Sequence, residues 1–266
     1  MIPRKFFYNY QNYFDKHGFV LIRDFFTNNE VYKIKQYADE ILNWNNQTKG
    51  KWMNYYEKLP DKTFKTKARV ENILNYHNGL NKLVHSRVNP SVNMITREEM
   101  TIFKDKINWK SAGGQGFGAH QDQPAWDDFP PNKFVTAAMF VNETTIENGC
   151  LEFAEDSNEE VILDYEAESS GSLIKEIEDS LKWKSITTTS NDLLIFDSYV
   201  PHRSGPNTSN KSRSIIFITY NNLNDGLFYE DYFKRKRIEL PPDNEREEGK
   251  EYKIKGTRYN LSNPIV

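Results

Sequence analysis

His120-Gln121-Asp122 near the middle of the chain, His202 far downstream and Arg213 soon after it constrain the fold more than any other feature. An H-x-D pair with a distant histidine has the spacing of the two-His-one-carboxylate triad, which holds a non-haem Fe(II) on one face and leaves the opposite positions open. Residues two apart on a β-strand point to the same side, so one strand is expected to present His120 and Asp122 together. His202 then has to come from a neighbouring strand after a long connection. An arginine close behind that histidine can take the distal carboxylate of 2-oxoglutarate through a bidentate fork. Together these residues predict an Fe(II)/2-oxoglutarate oxygenase, with His120, Asp122 and His202 as metal ligands and Arg213 as the cosubstrate anchor.

The surroundings strengthen the motif. Gly113-Gly114-Gln115-Gly116-Phe117-Gly118 leads into it and frees the backbone to approach a ligand closely. An apolar strand, Leu193 to Phe196, runs toward His202. Gly205 to Asn210 then reads as a turn, and Arg213 to Tyr220 as a returning β-branched and aromatic strand. A hairpin built this way would lay Arg213 alongside His202. The other histidines lack such a setting: His77 and His85 have no carboxylate at ligand spacing, and His17 has Asp15 in reversed order. All three are expected to be surface or capping residues. A closed zinc site usually needs four N or S ligands, which this set does not supply.

At 266 residues and 31.3 kDa the chain can bury a full core, and its net charge of −3 with a pI near 6.0 argues against a nucleic-acid partner. Lys234-Arg235-Lys236-Arg237 lies in a helix-like stretch, Tyr229 to Leu240, and is expected to be a solvated face rather than a phosphate patch. The single cysteine, Cys150, excludes an internal disulfide, fits a reducing compartment and reads as a small buried hydrophobe. No apolar run approaches membrane-spanning length and the start lacks a signal-peptide core, so a cytoplasmic protein with no membrane partner is expected.

Residues 1–100 read as a mainly helical N-terminal part. Thr27-Asn28-Asn29-Glu30 matches a capping box ahead of Val31, Ile34, Tyr37, Ala38, Ile41 and Leu42 at helical spacing. A short strand at Gly18 to Ile22 precedes it, and a second helical pattern runs from Ile73 to Val84 across Gly79. From residue 101 the period becomes that of strands: Ile102 to Lys110, Phe134 to Val141, Cys150 to Ala154, Leu193 to Phe196 and Arg213 to Tyr220, with Asn148-Gly149 as a tight-turn signal. The expected architecture is a β-rich α+β fold, a double-stranded β-helix of jelly-roll or cupin-like type with helices packed on one side. One domain is expected over 1–266, with its β-helix core at 101–222 and a C-terminal extension at 223–266. The insert at 155–190 reads equally as a lid or as a surface excursion.

The whole chain resembles the phytanoyl-CoA dioxygenase superfamily of Fe(II)/2-oxoglutarate oxygenases, and within it the branch of 2-aminoethylphosphonate dioxygenases and their relatives acting on N-trimethylated substrates. Carrying the likeness are Lys49 to Tyr56, Lys106 to Lys110, Gly113 to Trp126, Glu147 to Leu151, Phe196 to His202, Arg213 to Asn221 and Tyr232 to Arg237 with Pro241-Pro242-Asp243. The resemblance implies iron on His120, Asp122 and His202, and the 2-oxoglutarate C5 carboxylate on Arg213 with the Ser204 hydroxyl beside it. It also implies that Asn108 and one of Lys106 or Lys110, with Lys110 preferred, complete the cosubstrate site. Halogenases of the superfamily typically replace the carboxylate ligand with a small residue, so Asp122 implies hydroxylation. The implied substrate is a small organophosphonate, such as 2-aminoethylphosphonate or an N-methylated analogue, and the implied pathway partner is a second oxygenase that cleaves the C–P bond.

The oxidant formed in such a site demands a water-excluding pocket. Phe117, Trp126, Tyr199 and Tyr220 could wall it, although each alone reads as ordinary core. Arg203 adjoins a metal ligand and on a regular strand points away from the metal. Asn221 and Asn222 read as substrate contacts or as turn residues. Another small polar substrate (an amino acid, an osmolyte or a secondary metabolite) is the alternative, and a catalytically silent barrel is opposed by the intact motif.

Overall fold

The computed structural model describes residues 4–59, 63–155, 157, 159–167 and 171–252, so the end of the expected C-terminal extension lies outside the described residues. Helices and strands follow in the order α1 (Arg4–His17), β1 (Phe19–Ile22), α2 (Asn28–Leu42), β2 (Met53–Lys58), β3 (Lys65–Glu71), α3 (Asn78–Leu83), α4 (Asn89–Thr96), β4 (Met100–Lys110), β5 (Phe117–His120) and β6 (Phe134–Phe140). There follow β7 (Leu151–Ala154), α5 (Lys175–Ser180), β8 (Trp183–Ile186), β9 (Leu193–Asp197), β10 (His202–Ser204), β11 (Arg213–Asn222) and α6 (Tyr229–Glu239). A seven-stranded sheet in the order β1-β9-β6-β11-β4-β3-β2 faces a four-stranded sheet in the order β5-β10-β7-β8. Every pairing is antiparallel, as a jelly roll requires. Among the described residues no helix is long and apolar enough to cross a membrane.

The large sheet is covered on both faces, which explains why its central strands read as nearly continuous apolar runs. On β11, Ile216, Ile218 and Tyr220 point to the helices, where they pack with Ile34, Ala38 and Ile41 of α2 and Val92 and Ile95 of α4. The intervening Ile215 and Phe217 point to the small sheet, against Leu151, Phe153 and Ile186. The expected capping box at Thr27 and Glu30 is present and starts α2. A third cluster, with Phe103, Trp126, Phe129, Phe134, Tyr232 and Phe233, seats α6 over one end of the sandwich.

The N-terminal part differs from the expectation of a mainly helical segment. β2 and β3 form a hairpin that extends the large sheet along β4. Its residues, MNYYEK and KTKARVE, do not alternate apolar and polar, because the hairpin buries charge instead. Glu71 accepts two hydrogen bonds from the Lys236 ammonium, at 2.6 and 2.7 Å, and one from Arg69. Thus Lys236, expected on a solvated face, is only 1% exposed, while Arg235 pairs with Asp128 and Arg237 with Glu245. The second helical stretch begins at Asn78, not Ile73. The backbone N–H groups of Ile73 and Leu74 donate to the buried Asp105 carboxylate instead, and His77 caps α3 by accepting from Leu80 N.

The connection between His202 and Arg213 also departs from expectation. β10 and β11 belong to different sheets, so residues 205–212 cross the sandwich rather than turn a hairpin. The period-2 pattern of Arg213 to Tyr220 marks a strand but not its partner, and β4 and β6 win that pairing.

The Glu71–Lys236 pair fastens α6 to the sheet edge, and removing one member of a buried pair leaves an uncompensated charge. Lys236→Ala is expected to lower the unfolding free energy by roughly 3–5 kcal/mol in urea titrations. A loss below about 1 kcal/mol would show that the pair does not hold the helix.

Candidate active site

Antiparallel pairing of β10 with β5 sets His202 directly opposite His120, and the two imidazole centroids are 4.3 Å apart. Asp122 arrives differently from the expectation of a shared strand. β5 ends at His120, and Asp122 opens the turn Gln123–Ala125, with Ala125 N donating back to its carbonyl. Pro124 cannot donate to a strand ladder and favours this early end. The turn still brings the carboxylate to the histidines: Asp122 Oδ2 is 4.0 Å from His202 Nε2, and the three donor atoms all lie within 4.8 Å of one another.

Both imidazoles are preset for a cation. His120 Nδ1 sits 2.7 Å from the Gly118 carbonyl and His202 Nδ1 3.1 Å from that of Val200. A carbonyl only accepts, so each Nδ1 carries the proton and each Nε2 keeps its lone pair. Burial pushes the His120 imidazolium down to about 3 and lowers His202 as well, which favours the neutral form of both rings. Burial pushes the Asp122 carboxyl up, but His202, Lys104 and Lys106 pull it further down, to about 2. Two neutral imidazoles and one carboxylate form the donor set expected for Fe(II).

The triad opens into a cavity between the sheets, and Lys106, Asn108, Ser204 and Arg213 share its lining with the three ligands. Arg213 is buried, and its guanidinium donates to the Gly149 and Asn148 carbonyls. Among the described residues no carboxylate lies within ion-pair distance of it. The Lys110 ammonium donates to Ser204 Oγ at 2.8 Å, which leaves the hydroxyl hydrogen available. Arg69 Nε donates to Asn108 Oδ1, turning the amide NH2 toward the remaining space. Lys110, the preferred partner in the sequence reading, lies behind Ser204, and Lys106 is the lysine on the cavity wall.

Of the expected aromatic walls, Phe117 lines the cavity. Trp126 and Tyr220 are core residues, and the Tyr199 hydroxyl donates to Asn132 O. Phe196 and Phe217 complete the wall, with Thr136 and Thr219 beside them. Sequence reading missed these four. Their signal is parity, since each is an inward position on a strand otherwise read as apolar. Arg203 touches the cavity, but its guanidinium turns away to Glu152 and Glu178 and stacks over Trp183. Asn221 and Asn222 end β11, and their side chains hold the following turn: the Asn221 amide donates to Gly226 O, and Asn222 Oδ1 accepts from Asn224 N. The insert is tied to the metal-binding strand: Leu173 N donates to Ala119 O, and the Gln121 side chain spans Val161, Leu163 and Tyr199.

The family model for phytanoyl-CoA dioxygenase matches residues 14–215. The chain belongs to the phytanoyl-CoA dioxygenase family. Its membership carries the class that the triad spacing predicts, an iron- and 2-oxoglutarate-dependent dioxygenase. This dioxygenase is 40% identical over 249 residues to a 2-aminoethylphosphonate dioxygenase from uncultured bacterium HF130_AEPn_1, across 93% of this chain and 94% of that one. It is 31% identical over 221 residues to a methylphosphonate hydroxylase from Gimesia maris, across 83% and 82% of the two chains. Its fold matches the crystal structure of EctD from S. alaskensis with 2-oxoglutarate and 5-hydroxyectoine, with a TM-score of 0.69 at 18% identity over 82% of this chain and 76% of that one.

Gly149 holds the Arg213 end of the cavity together. Its φ of +74° is left-handed, and a Cβ there would meet Gly205 O at 2.3 Å. Gly113, at φ +76°, has open space instead. Gly149→Ala is therefore expected to cost roughly 1–3 kcal/mol more than Gly113→Ala in thermal or urea unfolding. Equal losses would remove the close approach as the reason for glycine at 149.

Proposed function

We propose that this chain is a single dioxygenase domain that hydroxylates a C–H bond of a small organophosphonate, such as 2-aminoethylphosphonate or an N-methylated analogue. The observation that carries the substrate class is the 40% identity to a 2-aminoethylphosphonate dioxygenase across nearly all of both chains. His120, Asp122 and His202 would hold Fe(II), and the preset Nε2 lone pairs fit that role. Arg213 and Ser204 would hold the distal carboxylate of 2-oxoglutarate, with Asn108 beside it and Lys110 acting through Ser204. Bound Fe(II) and 2-oxoglutarate supply the activation of dioxygen and the oxidising power for hydroxylation. The chain's own contribution is to orient both reactants and to keep water out behind Phe117, Phe196 and Phe217. A hydroxylated phosphonate carbon prepares the C–P bond for a second oxygenase, which we propose as the pathway partner. A reducing cytoplasm suits both Fe(II) and the buried Cys150 thiol.

The direct test is succinate formation by Fe(II)-reconstituted protein under air with 2-oxoglutarate and a panel of 2-aminoethylphosphonate, its N-methylated forms, methylphosphonate, proline and ectoine. Stimulation by a phosphonate, with a product heavier by one oxygen atom, is the expected result. Slow succinate formation that no phosphonate stimulates would reject the substrate class. His120→Ala, Asp122→Ala and His202→Ala are expected to abolish turnover and Fe(II) binding while leaving the circular dichroism spectrum intact. Full activity in Asp122→Ala would sink the triad assignment. Arg213→Ala should raise the 2-oxoglutarate KM about 30-fold or more, the effect of truncating one partner of a buried charged pair.

Burial and the neighbouring Arg213 push the Lys110 ammonium down to about 6. A carboxylate bound beside it would raise that pKa, so 2-oxoglutarate binding above pH 6 should take up a proton and weaken as pH rises. Calorimetry at pH 7.5 in buffers of different ionisation enthalpy should detect uptake of up to about one proton, absent in Lys110→Met. Uptake that survives in that variant would assign the proton to another group.

A further inference from the structure

The inward face of the large sheet carries positive charge at two separated places. On β11 and its neighbour β4, Arg213 pairs with Lys110, Phe217 with Lys106 and Thr219 with Lys104. Four residues of strand separate the Arg213 row from the Phe217 row, about 13 Å at about 3.3 Å per residue. One cationic end is the pair assigned to 2-oxoglutarate. The other has no role in the cosubstrate reading.

That second end has no carboxylate in direct contact, and Asp122 and Glu71 act on it only through space. Lys106 lines the cavity with its ammonium 5.3 Å from the Phe217 ring centroid. Lys104 is buried behind it, 4.3 Å from the Trp126 centroid and 5.6 Å from that of Tyr232. Among the described residues neither ammonium has a carboxylate within ion-pair distance. Nearby acids are engaged elsewhere: Glu71 by Lys236 and Arg69, Asp105 by Ile73 N, Leu74 N and the Tyr229 hydroxyl, and Asp122 in the triad. Burial lowers the pKa of both lysines, and a doubly charged anion in the cavity beside Lys106 would favour the protonated form of each. In the Lys104 row, Thr136 and Thr219 also line the cavity, and their hydroxyls lie 3.0 Å apart. One proton is shared within that pair, so the other hydroxyl hydrogen is available to a ligand.

We propose that Lys106, with Lys104 behind it and the Thr136–Thr219 hydroxyls beside it, forms the subsite for the phosphonate group of the substrate. The assignment rests on the phosphonate reading above. It places the phosphonate next to Asp122 and at the opposite end of the ladder from Arg213, so substrate and cosubstrate enter the cavity with their charged groups apart. A tetrahedral dianion meets the Lys106 ammonium there with the Lys104 charge behind it, whereas a carboxylate analogue brings a single charge. The subsite therefore also sets the preference for phosphonate over carboxylate.

The test is anaerobic calorimetric titration of Fe(II)- and 2-oxoglutarate-loaded protein with 2-aminoethylphosphonate and with its carboxylate analogue β-alanine. Wild type is expected to bind the phosphonate and prefer it clearly. Lys106→Met should weaken phosphonate binding by about 30-fold or more, reduce the preference over β-alanine, and change the 2-oxoglutarate dissociation constant by less than about threefold. Lys104→Met should show a smaller loss of the same kind, and Lys106→Arg should restore part of the affinity. Matching melting curves would separate these effects from misfolding. Phosphonate binding unchanged in Lys106→Met would overturn the subsite while leaving the substrate class in place, and so would a loss confined to 2-oxoglutarate. A wild-type protein that binds no phosphonate at millimolar concentration would overturn the substrate reading and this assignment with it.

Discussion

A sheet covered on both faces gives a charged side chain no water to turn to, and the inward face of β4 carries Lys104, Lys106, Asn108 and Lys110 in succession. Each must find a protein partner, an aromatic face or a ligand. Asn108 is fixed by Arg69, Lys110 by Ser204, and Lys104 by Trp126 and Tyr232. Arg69 in turn leans on Glu71, and Glu71 on Lys236 of α6. The polar strand is thus sustained by a network that reaches the C-terminal helix, some distance from the triad. What the network leaves uncompensated, Arg213 and Lys106, borders the cavity.

The small sheet does the complementary task. It supplies both imidazoles from one antiparallel pair and gives each Nδ1 a carbonyl from its own chain two residues earlier. Phe153 stacks on His202 at 5.7 Å between centroids, and Phe196 closes in from the large sheet. Ring orientation is therefore set by backbone and packing together, before any metal arrives. The Gln121 side chain, between the two ligands of the H-x-D motif, adds the insert to this arrangement through two of its backbone groups and ties both to Tyr199 O ahead of His202. Its backbone neighbours point inward while its own amide points outward, so the same tripeptide serves the metal and the cover.

Much of this was legible because the chemistry is local in sequence. The H-x-D pair, the isolated second histidine and the following arginine need particular residue types, and the apolar strands that carry them declare themselves by composition. Boundaries and partners were less legible. Asp122 leaves the strand because of Pro124, and the step from His202 to Arg213 crosses between sheets because β4 and β6 outcompete β10 for β11. Alternation alone identifies a strand without naming its neighbour. The hairpin β2–β3 escaped notice for a deeper reason. Its inward residues are charged, and a buried charge looks like a surface charge until its partner, here more than a hundred residues away, is known.

The two cationic ends differ in kind as well as in place, and the difference bears on how one cavity sorts two anions. Arg213 is a planar fork beside a hydroxyl, and a planar carboxylate can meet two of its N–H groups at once. Lys104 and Lys106 are point charges on flexible stems, with hydroxyls beside them, and they favour charge density over planarity. A tetrahedral phosphonate gains little from the fork, and a carboxylate gains less than a dianion from the lysine pair. Exchange of the two ligands is therefore opposed at both ends. Arg203 supplies the counter-example within the same strand as His202. Glu152 and Glu178 satisfy its guanidinium on the far side of β10, so it adds no third positive charge that would blur the distinction.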